Sequence, residues 1–153
     1  MRHERRWARW RADDGSASLE FISLGVLLLV PMVYLVLAIA AVQAGALAVE
    51  GAARQAARVY VQAPTQADAE QRAARAIEFA LADYGLDESA ARVDIRCSPD
   101  PARCLERNAT VTVTVRARVA LPLVPAVLDL DTAASVPVEA TAAERVSRFR
   151  VAP

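Results

Sequence analysis

From Phe21 to Val49 the chain carries no charged side chain. Few folds tolerate such a run. Within it, Ile22 to Val42 has only Ser23 and Tyr34 as polar side chains, so a helix here has no polar face to turn towards water. At about 1.5 Å per residue the segment spans about 32 Å, close to the roughly 30 Å hydrocarbon core of a bilayer. We read it as a transmembrane helix. Pro31 falls in its middle, where it cannot donate to the carbonyl of Leu27 and is expected to kink the helix. A bilayer tolerates this when the freed carbonyl finds another partner, such as Tyr34 or a neighbouring helix.

The flanks suggest an orientation. Arg2, Arg5, Arg6, Arg9 and Arg11 precede the run, against Glu4, Asp13 and Asp14. The positive-inside rule keeps this side cytoplasmic and puts the longer C-terminal part outside, in a single pass. A secretory signal peptide is a competing reading, because Ala46-Leu47-Ala48 supplies an Ala-x-Ala site and cleavage there would leave Val49 first. The apolar run is longer than the 7–15 residues of a signal core, and the site lies beyond its end. A second competitor is an unprocessed anchor in which Glu20 merely reaches the headgroups.

Glu20 stands at the mouth of the apolar run in the string Asp-Asp-Gly-Ser-Ala-Ser-Leu-Glu-Phe (13–21), five residues after Gly15. A carboxylate beside a membrane span is costly without a partner or a task. A basic leader, a glycine, small residues, a glutamate at the fifth position beyond the glycine and then a hydrophobic span together resemble the processing site of type IV prepilins and pseudopilins. Within that group the chain most resembles the TadE-like pilus assembly proteins. Phe21 takes the place where Flp-type pilins of the same system have Tyr, and the chain carries a domain that minimal Flp pilins lack. Both features point towards a pseudopilin rather than a major pilin.

The resemblance implies that an aspartyl prepilin peptidase cuts Gly15–Ser16 on the cytoplasmic side. Ser16 would then be the free amino terminus and Glu20 the fifth mature residue. The new amine and the unpaired amides of Ser16 to Leu19 would favour an anion one turn along. In a filament, Glu20 would instead pair with the Ser16 amine of a neighbour and set the stagger between subunits. The partners implied are the prepilin peptidase, other pilins and pseudopilins, and the Tad membrane platform proteins, besides membrane lipid. The resemblance is firm over about 13–61 and architectural beyond.

Outside the span the helix is expected to continue as a stalk to about Val61. Val49, Ala52, Ala53, Ala56, Ala57 and Tyr60 make an apolar stripe on it, either packed or part of a solvated stem. Pro64 ends it. Thr65-Gln-Ala-Asp68 approximates a capping box for a second helix, on which Ala74, Ile77, Leu81 and Tyr84 share a face and which Gly85 stops. Val93, Ile95 and Cys97 alternate as a strand. Val111 to Leu121 alternate with Thr110, Thr112, Thr114, Arg116 and Arg118 as a longer one, and Val136, Val138 and Ala140 suggest a third, made an edge by Pro137. The tail from Glu144 reads as a frayed terminus or a continued edge strand. The fold class is therefore α+β, pilin-like in outline: leader 1–15, transmembrane and stalk helix 16–61, and an extracytoplasmic domain with a second helix and a small antiparallel sheet over 62–153.

Cys97 and Cys104 lie between the first two strands, and outside the cytoplasm this pair is expected to be bonded. Closing such a loop constrains the unfolded chain by roughly 2.5 kcal/mol. Other chemistry is sparse. One His and two Cys are too few for a zinc site, five Gly leave no room for a phosphate loop, and zero net charge favours no nucleic acid. All basic residues are Arg, which together with abundant Ala we read as a GC-rich bacterial coding bias. We expect no cofactor and no enzyme: Asp94, Asp100, Glu106, Asp129 and Asp131 have no spacing that makes them an acid–base pair, although folding can bring them together.

Overall fold

The computed structural model describes residues 4–87, 91–123 and 134–150, with side chains from Ala17 onward. The elements are helix α1 (Glu4–Gln62), helix α2 (Gln66–Ala82) and strands β1 (Arg92–Ser98), β2 (Thr110–Ala120) and β3 (Ser135–Arg145). The fold is α+β, as the alternation of hydrophobic periods implies. The chain divides into two compact units, Met1–Ile39 and Ala40–Pro153.

The first unit is helix. From Leu19 to Ile39 its large apolar side chains are exposed, Phe21 and Leu27 among them, and α1 is long and apolar enough to cross a membrane. The helix runs on through Pro31.

The second unit is built on the C-terminal part of α1. Ala48, Val49, Ala52, Ala53, Ala56, Ala57 and Tyr60 are all buried, so the stripe is a packed face rather than a solvated stem. Small side chains recurring at three and four residues let a sheet approach the helix backbone closely. They share one core with Ala69, Ala73, Ile77 and Leu81 of α2 and with Val111, Val113 and Val115 of β2.

The α2 face differs by one position from the expected one. Ala73 is buried and Ala74 is exposed, because the inward row runs 69–73–77–81 in steps of four. Tyr84 is half exposed because α2 has already ended at Ala82. Both ends of α2 have identifiable caps. Thr65 accepts from the Asp68 amide at 3.2 Å, and its hydroxyl donates to the Asp68 carboxylate at 2.9 Å. The shorter Asp thus takes the side-chain hydroxyl, where a capping-box Glu reaches the backbone. At the other end Gly85 adopts φ +68°, and the Gly85 and Leu86 amides donate to the Ala82 and Leu81 carbonyls, a Schellman arrangement.

The sheet is antiparallel in the order β1-β2-β3, so β2 is central and Pro137 stands in an edge strand. Register places Val93, Ile95 and Cys97 opposite Val115, Val113 and Val111, and Ala140, Val138 and Val136 opposite Val115, Ala117 and Val119. The apolar sets of all three strands therefore fall on one face. On the other face the Thr114 and Thr141 hydroxyls are 3.0 Å apart, and Arg116 pairs with Glu139 at 2.9 Å. The chain after Arg145 does not fray at once: Val146 is buried and donates to the Ala109 carbonyl at 2.8 Å, carrying the edge one residue further.

Gly45 of α1 lies against Val119 of β2. A Cβ there would stand 2.1 Å from the Val119 side chain. Overpacking of this kind costs about 1–3 kcal/mol, while Ala gains about 1 kcal/mol over Gly in a helix. We expect Gly45→Ala to destabilise the full chain in detergent by up to about 2 kcal/mol, and to stabilise it by up to about 1 kcal/mol in a Val119→Ala background, where only helix propensity remains. Equal effects in both backgrounds, by thermal unfolding, would refute this contact.

Candidate functional site

Two regions carry the features that point to function, one in each unit. In the first, Glu20 and Phe21 lie inside α1 with exposed side chains. The side chains of residues 1–16, and with them Gly15, Ser16 and the leader arginines, lie outside the described residues. The backbone is informative nonetheless: α1 begins at Glu4. In the intact chain the amides of Ser16 to Leu19 are therefore within a helix, not at its start. The helix-end field expected around Glu20 belongs only to a chain already cut at Gly15, where those amides lose their partners.

In the second unit, Cys97 and Cys104 form a disulfide, with Cα atoms 5.1 Å apart. Cys97 is placed by the β1 ladder, opposite Val111, and Cys104 is buried. The bond ties the end of β1 to the loop that leads into β2. Asp100 organises the intervening turn. Its carboxylate accepts from the Ala102 amide at 2.9 Å and from Arg103 Nε at 2.7 Å. Arg103 also reaches Glu106 at 2.8 Å. The Arg103 hydrogen bond, then that of the Ala102 amide, hold the Asp100 carboxyl below its ordinary value, while Asp100 and Glu106 raise Arg103.

Sequence reasoning left open whether the acidic residues meet. Asp100 and Glu106 do, through Arg103, but as acceptors of one guanidinium. Asp94 pairs with Arg96 at 2.7 Å. Asp129 and Asp131 lie outside the described residues. No group of three or more His, Cys, Asp or Glu among the described residues is placed to hold a metal ion.

The C-terminal segment has a role that the sequence did not suggest. The Arg150 guanidinium donates to the carbonyl of Val61, which the end of α1 leaves without a helical partner, and to those of Ala63 and Pro64 just beyond the helix. Arg107 Nε in turn donates to the Arg150 carbonyl at 2.7 Å. The segment expected to fray thus closes the end of the domain that carries the disulfide loop. An open depression of about 800 Å³ lies there, lined by Pro64, Thr65, Cys104, Glu106, Arg107 and Arg150 among others. Arg107 and Arg150 are both committed to backbone carbonyls. Nothing local in Arg-Phe-Arg-Val (148–151) marks Arg150 for this task, and nothing local sets Gly45 apart from Gly15, Gly25 and Gly51 in the same helix.

Comparison with family models, curated proteins and solved structures gives no match.

The low Asp100 pKa has a pH consequence. A depressed carboxyl contributes stability that is fully present above its unfolded value and is lost as pH falls through the lower folded value. The ordinary value is 3.8, so the turn should hold from neutral pH down to that point and loosen below it. The Ala102 amide shift of the full chain in detergent should titrate with a midpoint under 3.8. Asp100→Asn should abolish that inflection; an inflection that survives the substitution would assign it to another group.

Proposed function

We propose that the chain is a TadE-like pseudopilin, cut after Gly15, that takes part in assembling a Flp-type pilus or the related Tad secretion apparatus. The observation that carries this reading is that one helix, Glu4–Gln62, contains both a charge-free segment of membrane length and the spine of a small α+β domain. A subunit of this kind is held in the bilayer by the same element that organises its exterior. The disulfide suits an oxidising compartment and favours placing that domain outside the cytoplasm. The arginines of the leader favour the opposite side for the N-terminus.

Glu20 supplies the mechanism. Cleavage creates an amine at Ser16 and frees the first-turn amides, which turns an isolated carboxylate into half of an ion pair. Within one subunit that pair sits at the membrane boundary. Between subunits it fixes their relative height, since an unpaired charge within the apolar layer costs on the order of 3 kcal/mol. Prepilin peptidase, other pilins or pseudopilins and the Tad platform proteins are the partners this role requires, in the cytoplasmic membrane with the C-terminal domain outside. The chain acts structurally, with no catalytic step of its own.

Two variants in cells that make the pilus separate processing from assembly. Gly15→Lys should retain the leader and migrate as the longer form. Glu20→Ala should be processed but lose at least tenfold in the amount recovered with other pilins, as expected for about 3 kcal/mol of lost pairing discounted for partial solvation. Unchanged migration of Gly15→Lys would instead identify an unprocessed single-pass anchor presenting an extracytoplasmic binding domain.

A further inference from the structure

The face of the sheet that does not enter the core gathers arginines at one end. Register sets Arg92 of β1 directly opposite Arg116 of β2, and Arg118 follows two residues along β2 on the same face. All three side chains are exposed. Directly opposite residues have Cβ atoms about 5 Å apart, and like charges placed so destabilise a sheet. Glu139 of β3 stands opposite Arg116 on its other side and pairs with it at 2.9 Å. Asp94, the next outward residue of β1, is taken by Arg96 at 2.7 Å. Among the described residues neither Arg92 nor Arg118 makes an ion pair.

The strand ends leave Arg118 open. β1 begins at Arg92, opposite Arg116, so no β1 residue stands opposite Arg118. On the β3 side its partner is Pro137, which carries neither a charge nor an N–H donor. The result is an open depression of about 610 Å³ lined by Arg92, Arg116, Arg118, Pro137 and Glu139 among others. Three guanidinium groups share it with one carboxylate.

We propose that this notch binds a soluble phosphate dianion, either free phosphate or the phosphate monoester of a small molecule. Guanidinium forks match the oxygens of phosphate two by two. The Glu139 carboxylate offsets one arginine and leaves the charge of two. A phosphate monoester carries close to two negative charges at neutral pH, which matches that excess; a carboxylate or the phosphodiester of a lipid carries one. Held between Arg92 and Arg118 and beside Arg116, the anion also relieves the repulsion that the register imposes. The site is open to water, so each ion pair contributes modestly. Every residue in it belongs to the second unit, and the inference stands apart from the membrane reading of α1 and from the assembly role.

The test titrates the full chain in dodecyl maltoside, a detergent without phosphate, and follows the backbone amide and arginine Nε–H signals of residues 92, 116 and 118 by NMR. Inorganic phosphate should shift them saturably, and acetate or chloride at the same ionic strength should not. Arg92→Gln and Arg118→Gln should each weaken phosphate binding about threefold, the worth of an exposed ion pair, and Glu139→Gln should strengthen it by a similar factor. These side chains are exposed, so the signals of the Asp100 turn should be unchanged in all three variants and report that the domain is folded. Shifts that acetate or chloride reproduces, or an affinity that Arg118→Gln leaves unaltered, overturn the site. Signals that move in phosphatidylglycerol nanodiscs but not with inorganic phosphate overturn it too, in favour of a lipid headgroup.

Discussion

The small-residue face of α1 is what the rest of the domain depends on. A sheet can lie close against a helix only where the helix presents little side chain, and residues 48–57 present four buried alanines beneath Ala48 and Val49. Into that shallow face β2 delivers Val111, Val113 and Val115, all fully buried. Each such valine removes enough apolar area from water to contribute about 1.5–3 kcal/mol. A larger residue in the helix row would push the sheet away and open the core on both sides, because α2 and β1 close on the same cluster.

The core is thin, and its edges are held by other means. At the end nearest the apolar segment, Gly45 allows Val119 to touch the helix backbone. At the far end the disulfide fixes the β1–β2 loop, and Arg150 holds the carbonyls of Val61 and Ala63 where α1 ends. The carbonyl contacts have a clear logic. Pro64 bars the helix from continuing, so the carbonyls at and just past its end must be met from elsewhere in the chain, and a guanidinium with several donors in one plane meets that of Val61 in the last turn and those of Ala63 and Pro64 beyond it.

Elements set by local periodicity were legible in the sequence. The charge-free run, the alternation of β2, the Pro137 edge and the Gly85 stop all depend on residues close in the chain, and each is found where the pattern puts it. The α2 face shifted from Ala74 to Ala73 because alanine carries so little hydrophobic signal that neighbouring alanines are interchangeable in a pattern, though not in a packed row. The Arg150 clamp and the Gly45–Val119 contact join residues 86 or more and 74 positions apart, respectively (119 − 45 = 74), and no local signal encodes a meeting at that distance. The field around Glu20 is expected of the cut chain and not of the intact one. Helix propensity in the leader carries α1 back to Glu4, so the end of the helix lies well before Ser16 until a cut makes a new one.

That last point joins the fold to the proposed role. A helix that anchors, organises the exterior and acquires a charged end only on processing would change from membrane precursor to assembly subunit by the loss of one peptide bond. The intact mass of the protein extracted from its native membranes tests this most directly. A chain beginning at Ser16 is the predicted result. A chain beginning at Met1 would contradict processing, and one beginning at Val49 would contradict the anchor as well.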